Sequence, residues 1–354
     1  MGAEEMGAGD MDAVDRGAAS VVPIRPGNQP DEACVDRAVI LLIAQVFDAV
    51  VGDPPALWRR LPHPVALVGR MIGWLDRRWN RENDTPSRRR DMGIAAVVVL
   101  LVAAVGVGAL VVGVLDRLGL LGAFLEAAIV GVLLAQRSLH DHVTAVADAF
   151  LADGLTGARR AVAAIVGRDP GALNEESVCR AAIESTAENF SDGVVAPALW
   201  FLVGGLPGLF AYKVLNTADS MIGHRTDRHR HFGWATARLD DLANWVPARV
   251  AALLTIAAAW TLADGEPGAA WRSVRRDADQ HRSVNAGWPE AAFAGALGLR
   301  LAGPRQYHGA LVEDAWMGDG RADATPEDIR RGLALFMRSC GALAVLAAVI
   351  AALG

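Results

Sequence analysis

Lysine is almost absent from this chain. Lys213 is the one lysine among 34 basic side chains in 354 residues, so the surface charge is built from arginine. An ammonium is a compact charge with three donors that suits phosphate oxygens, whereas a guanidinium is a planar fork. Lys213 is therefore a candidate phosphate ligand. The alternatives are chance retention and an interfacial anchor whose stem reaches the lipid headgroups.

Cysteine is also scarce, and Cys34, Cys179 and Cys340 lie far apart. This spacing excludes a CxxC motif and is typical of reduced structural thiols. A phosphate-binding P-loop is excluded too, because no Gly-x-x-x-x-Gly precedes the lysine. The chain also lacks GxSxG, HExxH, zinc and nucleic-acid motifs.

Long apolar runs determine the class of protein. Hydrophobic residues make up 53% of the chain and the mean hydropathy is +0.26, which is more apolar than a typical soluble protein. A helix needs about 20 apolar residues to cross the hydrocarbon core. The candidate spans are residues 93–115, 118–135, 246–263 and 333–353, and the shorter run 39–51 predicts a span or a buried helix. Because lipid-exposed backbone must satisfy its own hydrogen bonds, we predict an all-α, multi-pass membrane protein with amphipathic helices in its loops.

The apolar run of residues 194–212 differs from the others. It contains Pro197, Pro207, Gly208 and the pair Gly204-Gly205, which break or bend helices. We therefore predict a broken or re-entrant segment, which a membrane tolerates only against protein or a wet cavity. A re-entrant path keeps residues 184–192 and 219–241 on one side of the membrane.

The N-terminal residues 1–32 are acidic and glycine-rich, without the regions of a signal peptide, and predict a disordered extension. Residues 33–354 are expected to form a single helical membrane domain. Arginines flank the first two runs, at 77–90 and after residue 136, which places both flanks in the cytoplasm by the positive-inside rule. The expected location is the cell membrane.

Acidic and amide side chains are concentrated in strings beside the apolar runs. In the first string Glu184 and Glu188 share a helix face, with Ser185 and Asn189 beside them and Asp192 about one turn further. Like charges at this spacing repel. A divalent cation would remove that cost, since Mg²⁺ prefers one or two carboxylates plus phosphate oxygens. A solvated helix face is the alternative.

The second string contains Lys213, Asn216, Thr217, Asp219 and Ser220. At helical spacing all of these except Asp219 share a face, and a lysine with amide and hydroxyl neighbours suits a polyphosphate.

A third string places Asp240 and Asn244 one turn apart at the mouth of an apolar run, with Asp241 pointing elsewhere. A helix cap with an arginine pair is the alternative. Two outlying strings, residues 52–65 and 277–290, extend the set. The latter contains His281, which suits either a general base or a hydrogen-bonding loop residue.

Together these strings resemble the adenosylcobinamide-phosphate synthase family, the integral-membrane amide-forming enzymes of cobalamin biosynthesis. The resemblance covers about residues 39–307 and rests on Asp53-Pro54-Pro55, His63-Pro64-Val65 and residues 184–193, 212–223, 232–249 and 277–290. Two departures concern substrate contacts. Val284 stands where the family usually has proline, and residues 224–231 are rich in histidine where tyrosines are common.

The resemblance implies ATP-dependent joining of the carboxylate of adenosylcobyric acid to the amine of aminopropanol or its O-phosphate, with ATP and Mg²⁺ as cofactors. An amide does not form from a carboxylate and an ammonium without activation, so an acyl phosphate is expected. The lipid bilayer is an expected partner, nucleic acid is not, and a homo-oligomer is compatible with the sequence.

We assign roles within this scheme as follows. Metal binding falls to Glu184, Glu188, Asp192, Asp240 and Asp241. Nucleotide binding falls to Lys213, Asn189, Asn216, Ser220 and Asn244. The candidate catalytic residues are Lys213, Glu184, Asp219 and His281.

Two other classes of protein fit part of the sequence. A transporter is the main rival, because Glu126, Lys213 and Arg249 lie in or beside apolar runs and one run is broken. A second broken segment in a matching half, as an inverted repeat would supply, is not evident. A membrane scaffold that anchors other corrinoid enzymes is the third reading.

Overall fold

The computed structural model describes residues 30–52, 58–60, 62–166, 171, 173–307 and 310–353, without the side chains of 30–35 and 305–312. These residues are mostly helical, and their helices are α1 (Pro30–Val51), α2 (Pro64–Trp79), α3 (Pro86–Leu115), α4 (Leu120–Leu133), α5 (Gln136–Val162), α6 (Glu175–Asn189), α7 (Ala196–Ala218), α8 (Trp234–Ala243), α9 (Trp245–Ala259), α10 (Pro267–Asp277), α11 (Gly287–Leu297) and α12 (Pro326–Leu353). Short π-helical turns, Phe190–Val195 and Asp219–Gly223, flank α7.

A small β region lies between α11 and α12. Strand β1 (Leu301–Ala302) pairs antiparallel with β4 (Trp316–Met317), and β2 (Arg305–Tyr307) pairs with β3 (Ala310–Val312). Leu301 is opposite Met317 in the first pair.

The predicted membrane class is confirmed. Among the described residues, four helical stretches are long and apolar enough to cross a membrane, and a fifth is obtained if α8 and α9, bent by 41°, count as one span. The runs predicted at 93–115 and 333–353 lie within α3 and α12. The run at 246–263 largely coincides with α9. Helix α1 is not among the four stretches and packs one face against the core through Ala38, Leu41 and Ala44.

Helix α3 shows how the sequence starts and directs a span. The side chain of Thr85 accepts a hydrogen bond from the backbone N–H of Arg88, and Pro86 stands at the first helical position, where its missing N–H costs nothing. The helix then continues for 30 residues. At Gly108 its backbone meets that of Pro207 so closely that a Cβ would lie 2.6 Å from Cα of Pro207. This contact docks α3 against the tip of α7.

Helix α7 is the predicted re-entrant segment, and the structure confirms the break. Gly205 has φ +60° and ψ −154°, a conformation open almost only to glycine. Beyond it the chain reverses, because a Cβ on Gly208 would lie 2.5 Å from the carbonyl oxygen of Trp200. In a continuous helix two residues eight positions apart would be separated by about 12 Å. We call residues 196–204 and 206–218 the first and second arms of the re-entrant hairpin.

Arg37 of α1 holds the tip of this hairpin. Its Nη1 donates to the carbonyl oxygens of Leu202 at 3.2 Å and Val203 at 2.8 Å, which are orphan acceptors at the end of the first arm. The reversal is therefore supported by a side chain from another helix.

Two predictions concern residues that lie wholly or mostly outside the part of the chain that the structure describes. The expected disordered extension, residues 1–32, lies outside the described residues except for 30–32, which begin α1. The motif Asp53-Pro54-Pro55 also lies outside them.

Substituting Gly205 with alanine tests the hairpin. We expect Gly205→Ala to lower the free energy of unfolding by about 1–3 kcal/mol, because a Cβ is strained at this φ and ψ. The measurement is thermal unfolding in detergent. The control is Gly204→Ala, where a Cβ meets open space, and alanine there should be neutral or stabilising by up to about 1 kcal/mol. Equal effects at the two positions would contradict the reversal at Gly205.

Candidate active site

A chain of hydrogen bonds joins the re-entrant hairpin to the junction of α8 and α9. The hydroxyl of Tyr212, on the second arm, donates to Oδ1 of Asn244 at 2.9 Å, and Nδ2 of Asn244 donates to Oδ2 of Asp240 at 2.9 Å. The hydroxyl also lies 2.8 Å from the carbonyl oxygen of Asp192, before the first arm. All four residues are buried or half-buried, so the chain fixes three segments in one position.

The local sequence explains why Asn244 occupies the bend. Its backbone lies at φ −90° and ψ −5°, and Pro247 follows in the first turn of α9. Proline has no N–H to donate to the preceding turn, so one helix ends and another begins at this point. The amide of Asn244 is thereby directed toward Asp240 instead of outward.

Five carboxylates lie close enough to this chain to interact electrostatically with one another. Asp192 interacts electrostatically with Glu188, Asp240 and Asp219, and Asp241 interacts with both Asp219 and Asp240. We call these five residues the acidic cluster. Glu188, Asp192, Asp240 and Asp241 belong to the predicted metal set, whose role stays a prediction, and Asp219 is the fifth member.

The acidic cluster fits a cation that completes its coordination with ligand oxygens. Oδ1 of Asp240 is buried and has no hydrogen-bond partner among the described residues. Within the same residues, no three His, Cys, Asp or Glu side chains converge closely enough to hold a metal ion alone. Mg²⁺ commonly uses only one or two carboxylates and takes its other ligands from water and phosphate. The donor set therefore suits magnesium bound together with a phosphate compound.

The second arm presents two different faces. Tyr212, Asn216 and Asp219 lie toward the acidic cluster, where Asn216 faces the carboxylate of Asp240. Lys213 and Thr217 line an apolar groove against α2 and α3. Of the four residues predicted to share a face, Lys213 and Thr217 line the groove and Asn216 lies toward Asp240 on the adjoining side, and a joint role in binding a polyphosphate stays a prediction.

Some predicted site residues are directed elsewhere. Oε1 of Glu184 accepts a hydrogen bond from the backbone N–H of Ala302 at 2.8 Å, which attaches α6 to β1. The amide of Asn189 donates to the carbonyl oxygen of Ser185 one turn back, at 2.9 Å. Ser220 is exposed, and its hydroxyl donates to the carbonyl oxygen of Asn216. The structure does not direct these three groups into the acidic cluster.

The string of residues 277–290 reaches the site through one contact. Nδ2 of Asn285 donates to the carbonyl oxygen of Asp241 at 2.8 Å. Arg249 lies between the rings of Trp245 and Trp288, at 4.1 and 4.4 Å from their centroids. These contacts brace the α8–α9 junction from the outside.

His281 lies close to a buried acid. Its Nδ1 accepts from the backbone N–H of Ser283 at 3.1 Å, and its Nε2 lies 3.8 Å from Oε2 of Glu290. Nδ1 also lies 3.3 Å from the carbonyl oxygen of Ser283, to which it would donate in the other tautomer, so these contacts fit a proton on either ring nitrogen. The structure thus places His281 in a local pair, and its catalytic role stays a prediction.

The histidine-rich loop of residues 224–233 is held by α2. Asp76 accepts from Nε of Arg228 at 3.0 Å and from Nδ2 of Asn80 at 2.8 Å, and Nε2 of His229 lies 3.5 Å from it. Burial raises the pKa of Asp76, but the hydrogen bonds from Asn80 and Arg228 outweigh it, so the pKa lies below its ordinary value. Because this loop connects Asp219 to Asp240, the ion pair helps to set the distance between them.

Tyr212 is the residue that sequence reasoning underrated. It is buried at the centre of the hydrogen-bonded chain, yet none of the roles predicted from the sequence includes it. A signal existed, because Tyr212, Asn216 and Asp219 follow each other at positions i, i+4 and i+7 of one helix face. The contact of Asn285 with Asp241 has no such local signal.

The fold and the site define an all-helical membrane protein with a polar, acid-rich site beside a re-entrant hairpin. Residues 41–336 match the family described as CobD/Cbib protein. The chain belongs to this family.

Curated relatives cover nearly the whole chain. The cobalamin biosynthesis protein CobD of Rhizobium meliloti (strain 1021) is 52% identical over 307 residues, which are 86% of this chain and 94% of the relative. The protein of that name from Sinorhizobium sp is 54% identical over 309 residues, 86% of this chain and 95% of the relative. The one from Rhodobacter capsulatus is 43% identical over 316 residues, 89% and 98% of the two chains. No solved structure matches the chain significantly.

Removing the amide of Asn244 tests the hydrogen-bonded chain. We expect Asn244→Ala to lower the free energy of unfolding by about 1–3 kcal/mol, because it removes a buried hydrogen-bond partner from both Tyr212 and Asp240. Asn189→Ala is the matched control, since that amide bonds only within its own helix turn. Thermal unfolding of both variants in detergent measures the difference. Similar losses for both would contradict the bridging role of Asn244.

Proposed function

We propose that this protein catalyses ATP-dependent amide formation between adenosylcobyric acid and aminopropanol or its O-phosphate, a step of cobalamin biosynthesis in the cell membrane. The observation that carries the proposal is the acidic cluster at the re-entrant hairpin, where Asp240 has a buried carboxylate oxygen with no hydrogen-bond partner among the described residues and interacts electrostatically with Asp219 and Asp241. Membership in the CobD/Cbib family, whose relatives are named for cobalamin biosynthesis, supports the pathway.

The chemistry explains why such a cluster is useful. In the proposed reaction the corrinoid carboxylate attacks the γ-phosphorus of ATP, which gives an acyl phosphate and releases ADP. The free amine then attacks the acyl carbon, phosphate leaves, and the amide forms with loss of one proton from nitrogen. Phosphoryl transfer depends mostly on positioning and on neutralising negative charge. Bound magnesium would supply that neutralisation.

Different residues of the chain have different proposed roles in this reaction. Asp240 and Asp192, with Asp219 and Asp241 nearby, would hold the metal through one or two carboxylates. Asn216 and Asn244 orient the carboxylate of Asp240. Glu188 adds negative charge on the side of the first arm.

Lys213 remains the proposed phosphate ligand. It stands on the second arm one turn before Asn216 and lines the groove beside the acidic cluster. A four-carbon stem can pack along apolar side chains while its ammonium reaches a polar group. A single flexible ammonium at this boundary suits the transferred phosphoryl group.

The activity itself is tested with purified protein in detergent. We expect ATP hydrolysis only when a corrinoid acid and an amine are both present, with amide product detected by mass spectrometry. Aminopropanol and its O-phosphate are compared in parallel to identify the amine. Flux of corrinoid into vesicles without ATP would instead support a transporter, and no turnover with either amine would support a scaffold.

Two substitutions test the proposed site. Lys213→Arg keeps the charge but changes the geometry, and we expect kcat to fall by about 10²-fold. Asp240→Asn removes a ligand charge, and we expect the Mg²⁺ concentration for half-maximal rate to rise by at least about tenfold. The control is Asp323→Asn at an exposed position. If the unaltered protein is active and both site variants keep its kinetics, the site lies elsewhere in the protein. The proposed function would then stand, but the assignment of these residues would not.

A further inference from the structure

An apolar groove lies along the face of the second arm that adjoins the face toward the acidic cluster. It has a volume of about 400 Å³ and is bounded by α2, α3, the end of α4 and the second arm. Its walls include Val68 of α2, Leu100 and Val107 of α3, and Phe210. Lys213 and Thr217 are the polar side chains on its lining.

This lining selects against polar ligands. A nucleobase, a sugar or an amide placed here would lose its hydrogen bonds to water and regain few, which costs free energy for every polar group buried. A hydrocarbon segment has no such groups. The occupant that the walls favour is therefore an aliphatic chain.

The groove is continuous with the lipid-facing surface of α3. Val98, Val102 and Val105 of this helix are 51%, 68% and 45% exposed, as expected for a helix long and apolar enough to cross a membrane. Val107, which lines the groove, lies two residues beyond Val105 and is 52% exposed. Hydrocarbon from the bilayer thus reaches the groove without crossing a polar boundary.

Helix α2 adds a positive charge to this apolar wall. Toward the groove it presents Val68 and Met71, whereas Arg70, Arg77 and Arg78 are exposed, the last two in its final turn. Arginines beside an apolar surface complement an anionic headgroup, and each is worth about a fivefold preference near an anionic surface. The pattern distinguishes an anionic lipid from a neutral one.

We propose that this groove binds one acyl chain of an anionic phospholipid, whose headgroup lies against the arginines of α2. The lipid would pack against the arm that carries Tyr212 and Asn216 on its adjoining face. A bound chain would then stiffen the support of the acidic cluster. The proposal does not depend on the reaction proposed above.

The test compares two valines on one helix. Val107→Trp fills the groove, whereas Val105→Trp adds the same bulk on the lipid-facing surface. Both proteins are purified in detergent, supplied with phosphatidylglycerol, and examined by native mass spectrometry. We expect Val105→Trp to retain a tightly bound lipid as the unaltered protein does, and Val107→Trp to lose it. Equal retention in both variants, or none in the unaltered protein, would overturn the proposal.

A double variant outside the groove tests whether the arginines of α2 hold the headgroup. Arg77→Gln with Arg78→Gln should reduce the preference for phosphatidylglycerol over phosphatidylcholine by at least about fivefold while a lipid is still retained. An unchanged preference would overturn the assignment of the headgroup. Displacement of the lipid by stoichiometric adenosylcobyric acid would assign the groove to substrate and overturn the lipid proposal.

Discussion

The hydroxyl of Tyr212 is the contact on which the site depends. It touches the carbonyl oxygen of Asp192 before the first arm and the amide of Asn244 at the bend between α8 and α9. Without the chain reversal at Gly205, residues 192 and 212 would be about 30 Å apart along a helix. This one buried side chain therefore joins the two features of the fold that form the site, the re-entrant hairpin and the bent pair of helices.

The grouping of so many acids in a membrane protein requires a physical reason. Asp192, Asp219 and Asp240 repel one another, and burial weakens the screening by water. Natural structures keep such clusters where a cation or a substrate offsets the repulsion. The buried oxygen of Asp240, which has no hydrogen-bond partner among the described residues, is available to such a cation. The same arm borders two environments, with the acids along one face and the apolar groove, lined by Lys213, along the adjoining face.

Composition and residue order predicted much of this arrangement. The apolar runs predicted the membrane class, and the glycines and prolines of residues 194–212 predicted the break, because backbone conformation is a local property. Four acids of the predicted metal set, at 188, 192, 240 and 241, interact electrostatically in the structure, and their role as metal ligands stays a prediction.

The sequence could not predict the direction in which each side chain points. Glu184 lies one turn before Glu188, yet its carboxylate binds the backbone of Ala302, more than one hundred residues later. Asn216 and Lys213 were assigned to one face because an ideal helix allows it, but the packing of α2 and α8 against the arm gives them different neighbours. The bracing of Asp241 by Asn285 is likewise a tertiary contact, and no local periodicity indicates it.

The central claim is that the hairpin and the α8–α9 junction form one metal–nucleotide site. A cryo-EM structure in lipid nanodiscs with Mn²⁺ and a non-hydrolysable ATP analogue tests it most directly. The account predicts metal density at bonding distance, about 2.0–2.3 Å, from Asp240 and at least one other carboxylate of the acidic cluster, with the phosphates completing the coordination. Nucleotide and metal bound away from these carboxylates would contradict it.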